Sequence, residues 1–177
     1  MIDISIINEE DNNDVVEILV INFGFIDSKE EILRKIKPRL NNGISIKASI
    51  DDKIVGCYLL AEKSLNLFFE QIKSNSLTDF PKDETEIYFK EKISDKGLQG
   101  ISLAVLPEYK NMGIGSKLKN YTYSLGYDYI WGVQDKKLNN IDFWKNTREL
   151  IVESNTHYTT LKRNNSLKYL KEYKLFN

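Results

Sequence analysis

Cysteine and histidine are almost missing from this chain, with Cys57 and His157 the single examples among 177 residues. One cysteine excludes a disulfide framework, and one of each leaves a histidine/cysteine metal site short of ligands. Net charge is also missing: 25 basic and 26 acidic residues, interleaved along most of the chain, sum to −1 and give no global pull toward nucleic acid or an acidic membrane. No apolar run approaches the roughly 20 residues that span a bilayer. The first residues carry Asp3, Glu9, Glu10 and Asp11 in place of a basic start and an apolar segment, so a cytoplasmic location is expected. No repeat, linker or low-complexity tract divides the sequence.

What is present suits one globular domain over residues 1–177, with 41% hydrophobic and 29% charged residues. Positive charge concentrates only near the C-terminus, at Lys162, Arg163, Lys168, Lys171 and Lys174. A solvated helix face with Leu167, Leu170 and Tyr173 turned inward accounts for it better than a nucleic-acid patch.

Hydrophobic periodicity sets the expected element order. A strand around Ile4 to Ile7 precedes a helix capped within Asp11-Asn12-Asn13-Asp14 and carrying Val15, Ile18, Leu19 and Phe23. Ser28 and Glu31 form a capping box for a second helix that buries Ile32, Leu33 and Ile36, is disturbed at Pro38 and ends near Asn41-Asn42-Gly43. Alternation from Ile44 to Ile50, a turn at Asp51-Asp52-Lys53 and a run from Ile54 to Ala61 read as a β-hairpin. Leu65, Phe68, Phe69 and Ile72 suggest a short helix, Ser74 to Lys82 reads as loop, and Glu86 to Ile93 fits helix or strand equally. A strand over Ile101 to Val105 follows, then a helix to about Leu125, a strand Tyr129 to Val133, a short helix carrying Ile141, Phe143 and Trp144, closing strands at 150–153 and 158–161, and a last helix at 166–173.

The most specific stretch lies between the strand at Ile101 and the helix after it: Val105-Leu106-Pro107-Glu108-Tyr109-Lys110-Asn111-Met112-Gly113-Ile114-Gly115-Ser116-Lys117-Leu118. Pro107 ends the strand ladder, the glycines leave room for a ligand against bare backbone, and the first-turn N–H groups from Asn111 to Ser116 point outward at the positive end of a helix. Anions bind at such ends. A Walker loop needs Gly-Lys-Ser/Thr, whereas Gly115-Ser116-Lys117 reverses the last two, and a dinucleotide fingerprint needs a small residue where Leu118 stands.

The run resembles the acyl-coenzyme A motif of the GCN5-related N-acetyltransferases, with Lys110 where that family usually has Arg or Gln. The resemblance implies an α/β (α+β) fold with a mixed, mostly antiparallel sheet flanked by helices, in which the strand at 129–133 splays from its neighbour to open the acyl-coenzyme A groove. It also implies acetyl-CoA as co-substrate, and the scarcity of cysteine and histidine leaves no metal expected. The backbones of Leu103 and Val105 would guide the pantetheine arm, an N–H at Ala104 or Val105 would face the thioester carbonyl, and the N–H groups of Lys110, Asn111, Met112, Gly113, Ile114, Gly115 and Ser116 would grip the pyrophosphate. Asn140, with Asn139, resembles an asparagine near the pantetheine or adenosine end, an N-cap being the competing reading.

Proton handling is less legible. The family's helix tyrosine aligns with Phe143-Trp144, which carries no phenol, so Tyr158 and Glu62 stand as substitutes, while His157 reads as an ordinary strand residue. Trp131, Phe143 and Trp144 read as core or groove wall, and Cys57 as a small buried residue. The segment 62–99 departs from the family and reads as an inserted lid or recruitment element. The implied activity is transfer of acetyl from acetyl-CoA to an amine of a small molecule, peptide or protein by direct attack. The other readings are a weakened acyl-CoA-binding regulatory module and a toxin-like or phage-encoded enzyme acting on tRNA or a host protein. Acetyl-CoA and an amine are the expected partners, a homodimer is allowed, and neither membrane nor nucleic acid is expected.

Overall fold

The computed structural model describes residues 1–24, 27–63, 97–145, 150–153 and 156–163. The expected elements at 65–72, 74–82, 86–93 and 166–173, the basic residues beyond Arg163 and nearly all of the 62–99 insertion lie outside the described residues. The chain divides into two compact units, Met1–Ala61 with Gly100–Leu125 and Glu62–Gln99 with Gly126–Asn177.

The first unit builds a sheet in the order β1 (Asp3–Ile6), β2 (Ile46–Ile50), β3 (Lys53–Glu62), β4 (Gly97–Val105), the last two strands reaching out of it at one end. β1 and β2 run antiparallel with Ile4 opposite Ala48, and β2 and β3 antiparallel with Ile46 opposite Tyr58. The β2–β3 turn holds Asp51 and Asp52 at φ 48° and 63°, the left-handed pair that a tight hairpin demands. Helices α1 (Asn12–Phe23) and α2 (Lys29–Ile36) bury Val15, Ile18, Leu19, Ile32 and Ile36 against Cys57 and Leu59 of β3 and Ala104 of β4. Their apolar residues recur at three and four, so one stripe of each helix reaches the sheet.

Ser28 Oγ accepts the Glu31 N–H at 3.2 Å, but the Glu31 carboxylate turns to Arg34 at 2.6 Å, so only half of the expected capping box forms. Leu33, expected inside, is 37% exposed, because Ile32 and Ile36 already fill the inward stripe of a helix of 8 residues. Asp11 caps a short 3-10 turn by accepting the Asn8 N–H at 2.7 Å and pairs with Lys47 of β2. Helix α3 (Ile114–Thr122) packs against β1 and β2 and buries Ile114, Leu118, Lys119 and Thr122, and a 3-10 turn continues to Leu125.

Strand β4 begins at Gly97, earlier than the expected Ile101. Within it Gly100 is a site of close approach, since a Cβ there would lie 2.1 Å from Tyr58 Oη.

In the second unit β5 (Tyr129–Asp135), β6 (Leu150–Glu153) and β7 (His157–Arg163) form an antiparallel set with β7 between the other two. Gly97 serves a similar purpose here, since its Cβ would fall 2.2 Å from the Tyr129 ring. Trp131 of β5 and Trp144 of α4 (Ile141–Lys145) are buried, and Phe143 meets Trp144 edge-on at 4.9 Å, as expected of core aromatics. No helix among the described residues is long and apolar enough to cross a membrane.

Candidate acyl-coenzyme A site

The loop between β4 and α3 is built by three local devices. Leu106 N–H donates to Val55 O at 2.9 Å, which ties the end of β4 to β3. Pro107 then opens a 3-10 turn in which Tyr109 N–H reaches Leu106 O and Lys110 N–H reaches Pro107 O at 3.2 Å. Asn111 and Gly113 take left-handed conformations at φ 65° and 78°, reversing the backbone so that α3 starts at Ile114. Lys117 N–H donates to Gly113 O at 2.9 Å, closing the first helical turn. Ile114, Gly115 and Ser116 therefore keep the unpaired first-turn donors of α3.

The Lys110 N–H is already engaged, which corrects the expectation that all donors from Lys110 to Ser116 are free for a ligand. The Lys110 side chain is exposed, as are Asn111, Met112, Gly113, Ser116 and Lys117. No atom lies within 4 Å of where a Gly113 Cβ would stand, so space is open beside the donors. Of the first-turn residues Ile114 is 1% exposed, Gly115 half-buried and Ser116 exposed, and the outer part of this helix N-terminus with two exposed lysines fits a pyrophosphate. Of the strand residues expected along the arm, Ala104 and Val105 are buried and Leu103 is half-buried.

Gly56 on β3 sets how near α3 comes. Its Cβ would stand 3.0 Å from Ala104 O and 3.3 Å from both Ile114 Cγ2 and Val105 Cγ2, so a bare backbone lets the first residue of α3 rest on the strand. Lys53 pairs with Glu108 at 3.4 Å and lies 5.2 Å from the Tyr109 ring centroid, clipping the loop from the hairpin turn.

The second unit holds the remaining candidates. Tyr127, which sequence reasoning missed, is buried and donates its hydroxyl to Glu62 Oε1. Burial, aided by the Glu62 carboxylate, pushes its phenol up to about 12. The two residues are far apart in sequence, and no local pattern announces the pair. Tyr158 lies on β7 directly opposite Gln134 of β5, with Lys136 Nζ 5.1 Å from its ring centroid. His157 Nδ1 is 2.7 Å from Thr156 Oγ1, a local contact. Asn139 is left-handed at φ 46° and ends a 3-10 turn, while the Asn140 carbonyl accepts the Phe143 N–H at 3.1 Å and so starts α4 through its backbone. Burial pushes the Cys57 thiol up to about 12, which makes it inert at neutral pH. Among the described residues no group of three or more His, Cys, Asp or Glu is placed to hold a metal.

Solved structures of similar shape include acetyltransferases. An acetyltransferase of the GNAT family from Bacillus cereus ATCC 10987 superposes with a TM-score of 0.59 at 15% identity, covering 94% of this chain and 99% of its own. The PaiA N-acetyltransferase of Thermoplasma acidophilum, solved in complex with coenzyme A, gives 0.58 at 15% identity over 92% and 99%. This chain has the GNAT fold. Ard1 from Thermoplasma volcanium is similar too, at 0.60 and 14% identity over 92% and 97%. No protein-family model and no curated protein sequence matches the chain. The motif read from the sequence spans the end of β4, the loop and the first residues of α3.

Proposed function

We propose that the chain is an N-acetyltransferase that moves the acetyl group of acetyl-CoA to an amine. The observation that carries this reading is the unpaired first turn of α3, with donors at Gly115 and Ser116 after the left-handed Gly113 that follows a strand and a 3-10 turn, in a chain of GNAT fold. The donors and the exposed Lys110 ammonium would hold the pyrophosphate, the ammonium as a point charge and not as the fork an arginine gives. The backbone of β4 at Leu103 to Val105 would order the pantetheine arm. The amine nitrogen attacks the thioester carbon, a C–N bond forms, the C–S bond breaks with its electron pair leaving on sulfur, and the amine gives up one proton. Glu62, held by the Tyr127 hydroxyl, and Tyr158 are the candidate proton carriers; Asn140 would lie near the cofactor. We read residues 1–177 as a single cytoplasmic domain with an insertion at 62–99.

Calorimetry with coenzyme A tests the first half: the wild type binds, and Gly113→Val, which forces a β-branched residue to positive φ, loses binding tenfold or more, roughly 1.4 kcal/mol. Thiol release from acetyl-CoA in the presence of an amine panel tests the second. A second reading, an acyl-CoA-binding module without turnover, is favoured by one observation: Trp144 is 4% exposed and packed on Phe143 where the family's helix tyrosine is expected. Coenzyme A binding with no thiol release on any amine supports that module; no binding at all rejects both readings.

A further inference from the structure

The chain holds one cysteine and two methionines. Cys57 is fully enclosed and burial pushes its thiol up to about 12, so it is shielded from oxidants. Met1 is terminal. Met112 stands in the loop ahead of α3 and is 56% exposed, so its thioether fills no core gap of the kind that methionine usually fills.

Met112 lies between two left-handed residues, Asn111 at φ 65° and Gly113 at φ 78°, in the middle of the reversal that starts α3. No atom lies within 4 Å of where a Gly113 Cβ would stand, and Lys117 N–H is tied to Gly113 O at 2.9 Å. The open donors at Gly115 and Ser116 therefore follow Met112 within about one turn of backbone, all in the first compact unit. Met112 is thus the one sulfur of the chain that is both open to a small oxidant and part of the coenzyme A loop.

We propose that Met112 is an oxidation site that governs coenzyme A capture: a peroxide converts its thioether to the sulfoxide, and the sulfoxide weakens the cradle. The proposal rests on the acetyltransferase reading above and adds a regulation of its donor site. A sulfur lone pair attacks one peroxide oxygen, an S–O bond forms, the O–O bond breaks, and the departing oxygen leaves as water with both protons; sulfur is oxidised and the peroxide reduced by one electron pair. The product replaces a weak acceptor with an oxygen of high partial negative charge. That oxygen competes with the pyrophosphate for the donors at Gly115 and Ser116 and repels its charge, while the exposed Lys110 and Lys117 ammonium groups are unchanged. A sulfoxide reductase reverses the change, and the exposure that admits the peroxide also admits the reductase.

The test treats the intact protein with hydrogen peroxide, locates the added oxygen by peptide mass spectrometry and measures coenzyme A binding by calorimetry. Met112 takes up oxygen, the coenzyme A Kd rises about fivefold or more, and the melting temperature moves by less than about 2 °C because the modified side chain is exposed. Methionine sulfoxide reductase restores the original Kd. Saturating coenzyme A slows the uptake at Met112 and leaves the uptake at Met1 unchanged. In Met112→Leu the Kd, whatever its starting value, is the same before and after peroxide. An oxidised wild type that binds coenzyme A within about twofold of the untreated protein overturns the proposal, as does a Met112→Leu protein that loses affinity on treatment to the same extent. So does a Met112 that stays unoxidised while Met1 reacts. An untreated wild type that fails to bind coenzyme A rejects the acetyltransferase reading and the proposal with it; that failure is seen before any peroxide is added, which sets it apart from the others.

Discussion

Replacing Gly56 with alanine tests whether the spacing of α3 from the sheet governs the cradle. The added Cβ would meet the Ala104 carbonyl oxygen at 3.0 Å and the methyls of Ile114 and Val105 at 3.3 Å. The carbonyl belongs to strand backbone and cannot step aside, so the helix end must move by a few tenths of an ångström. Overpacking of this kind costs about 1–3 kcal/mol, and the lost glycine freedom of the unfolded chain returns about 0.4–1 kcal/mol. The net is a destabilisation of about 1 kcal/mol, a fall of about 2–4 °C in melting temperature for a chain of this size. Because Ile114 is the first residue of α3, its displacement shifts the donors of Gly115 and Ser116 and should also weaken coenzyme A about threefold to tenfold by calorimetry. The cause is checked with Ile114→Ala, which removes the contacting methyl. If the clash is the origin, the double variant is less destabilised than the two single losses together by at least about 0.5 kcal/mol. A Gly56→Ala protein that melts with the wild type and binds coenzyme A equally well refutes the reasoning.

Three further outcomes follow from the same geometry. Gly100→Ala places a Cβ 2.1 Å from Tyr58 Oη and 2.8 Å from its Cζ, a buried ring, and should cost more than about 3 kcal/mol in urea unfolding; a smaller loss would show that the ring has another place to go. Asp11→Ala removes both the partner of Lys47 and the acceptor of the Asn8 N–H, in a pair whose side chains are 7% and 15% exposed, and should cost about 2–4 kcal/mol; a cost under about 1 kcal/mol would mean that water screens the pair. Cys57 and Tyr127 both hold their protons more tightly folded than unfolded, each pushed up to about 12. Their contribution is whole below the unfolded values and is lost as pH rises through about 9 to 12, so urea midpoints should fall across that window and fall less in Cys57→Ala. In the native state at pH 8 a thiol reagent should leave Cys57 unlabelled.

The elements that were legible in the sequence are those whose signals are local. Gly113 and Pro107 mark the loop because φ above zero and a missing donor are properties of single residues, and α1, α2, the hairpin and β5 follow from periodicity. The early start of β4 at Gly97 was not legible, because nothing local announces that Gly97 and Gly100 each admit a tyrosine ring from a neighbouring strand. Lys119, only 3% exposed on α3, could not be read as buried from a charged side chain at a polar position. Within the candidate sites, the donor loop announced itself through its order of residues. The Tyr127–Glu62 bond joins residues distant in the chain, and no spacing rule brings them together.

The 3-10 turn Pro107–Tyr109 has a thermodynamic consequence. By pairing the Tyr109 and Lys110 N–H groups internally, it fixes the path of the backbone before any ligand arrives, while the exposed Lys53–Glu108 pair adds only a weak clip. A loop already in its binding shape loses little conformational freedom on capture. An anion arriving there should therefore find the entropy of ordering already met by folding, and recognition becomes a property of the native backbone with side chains in a supporting part.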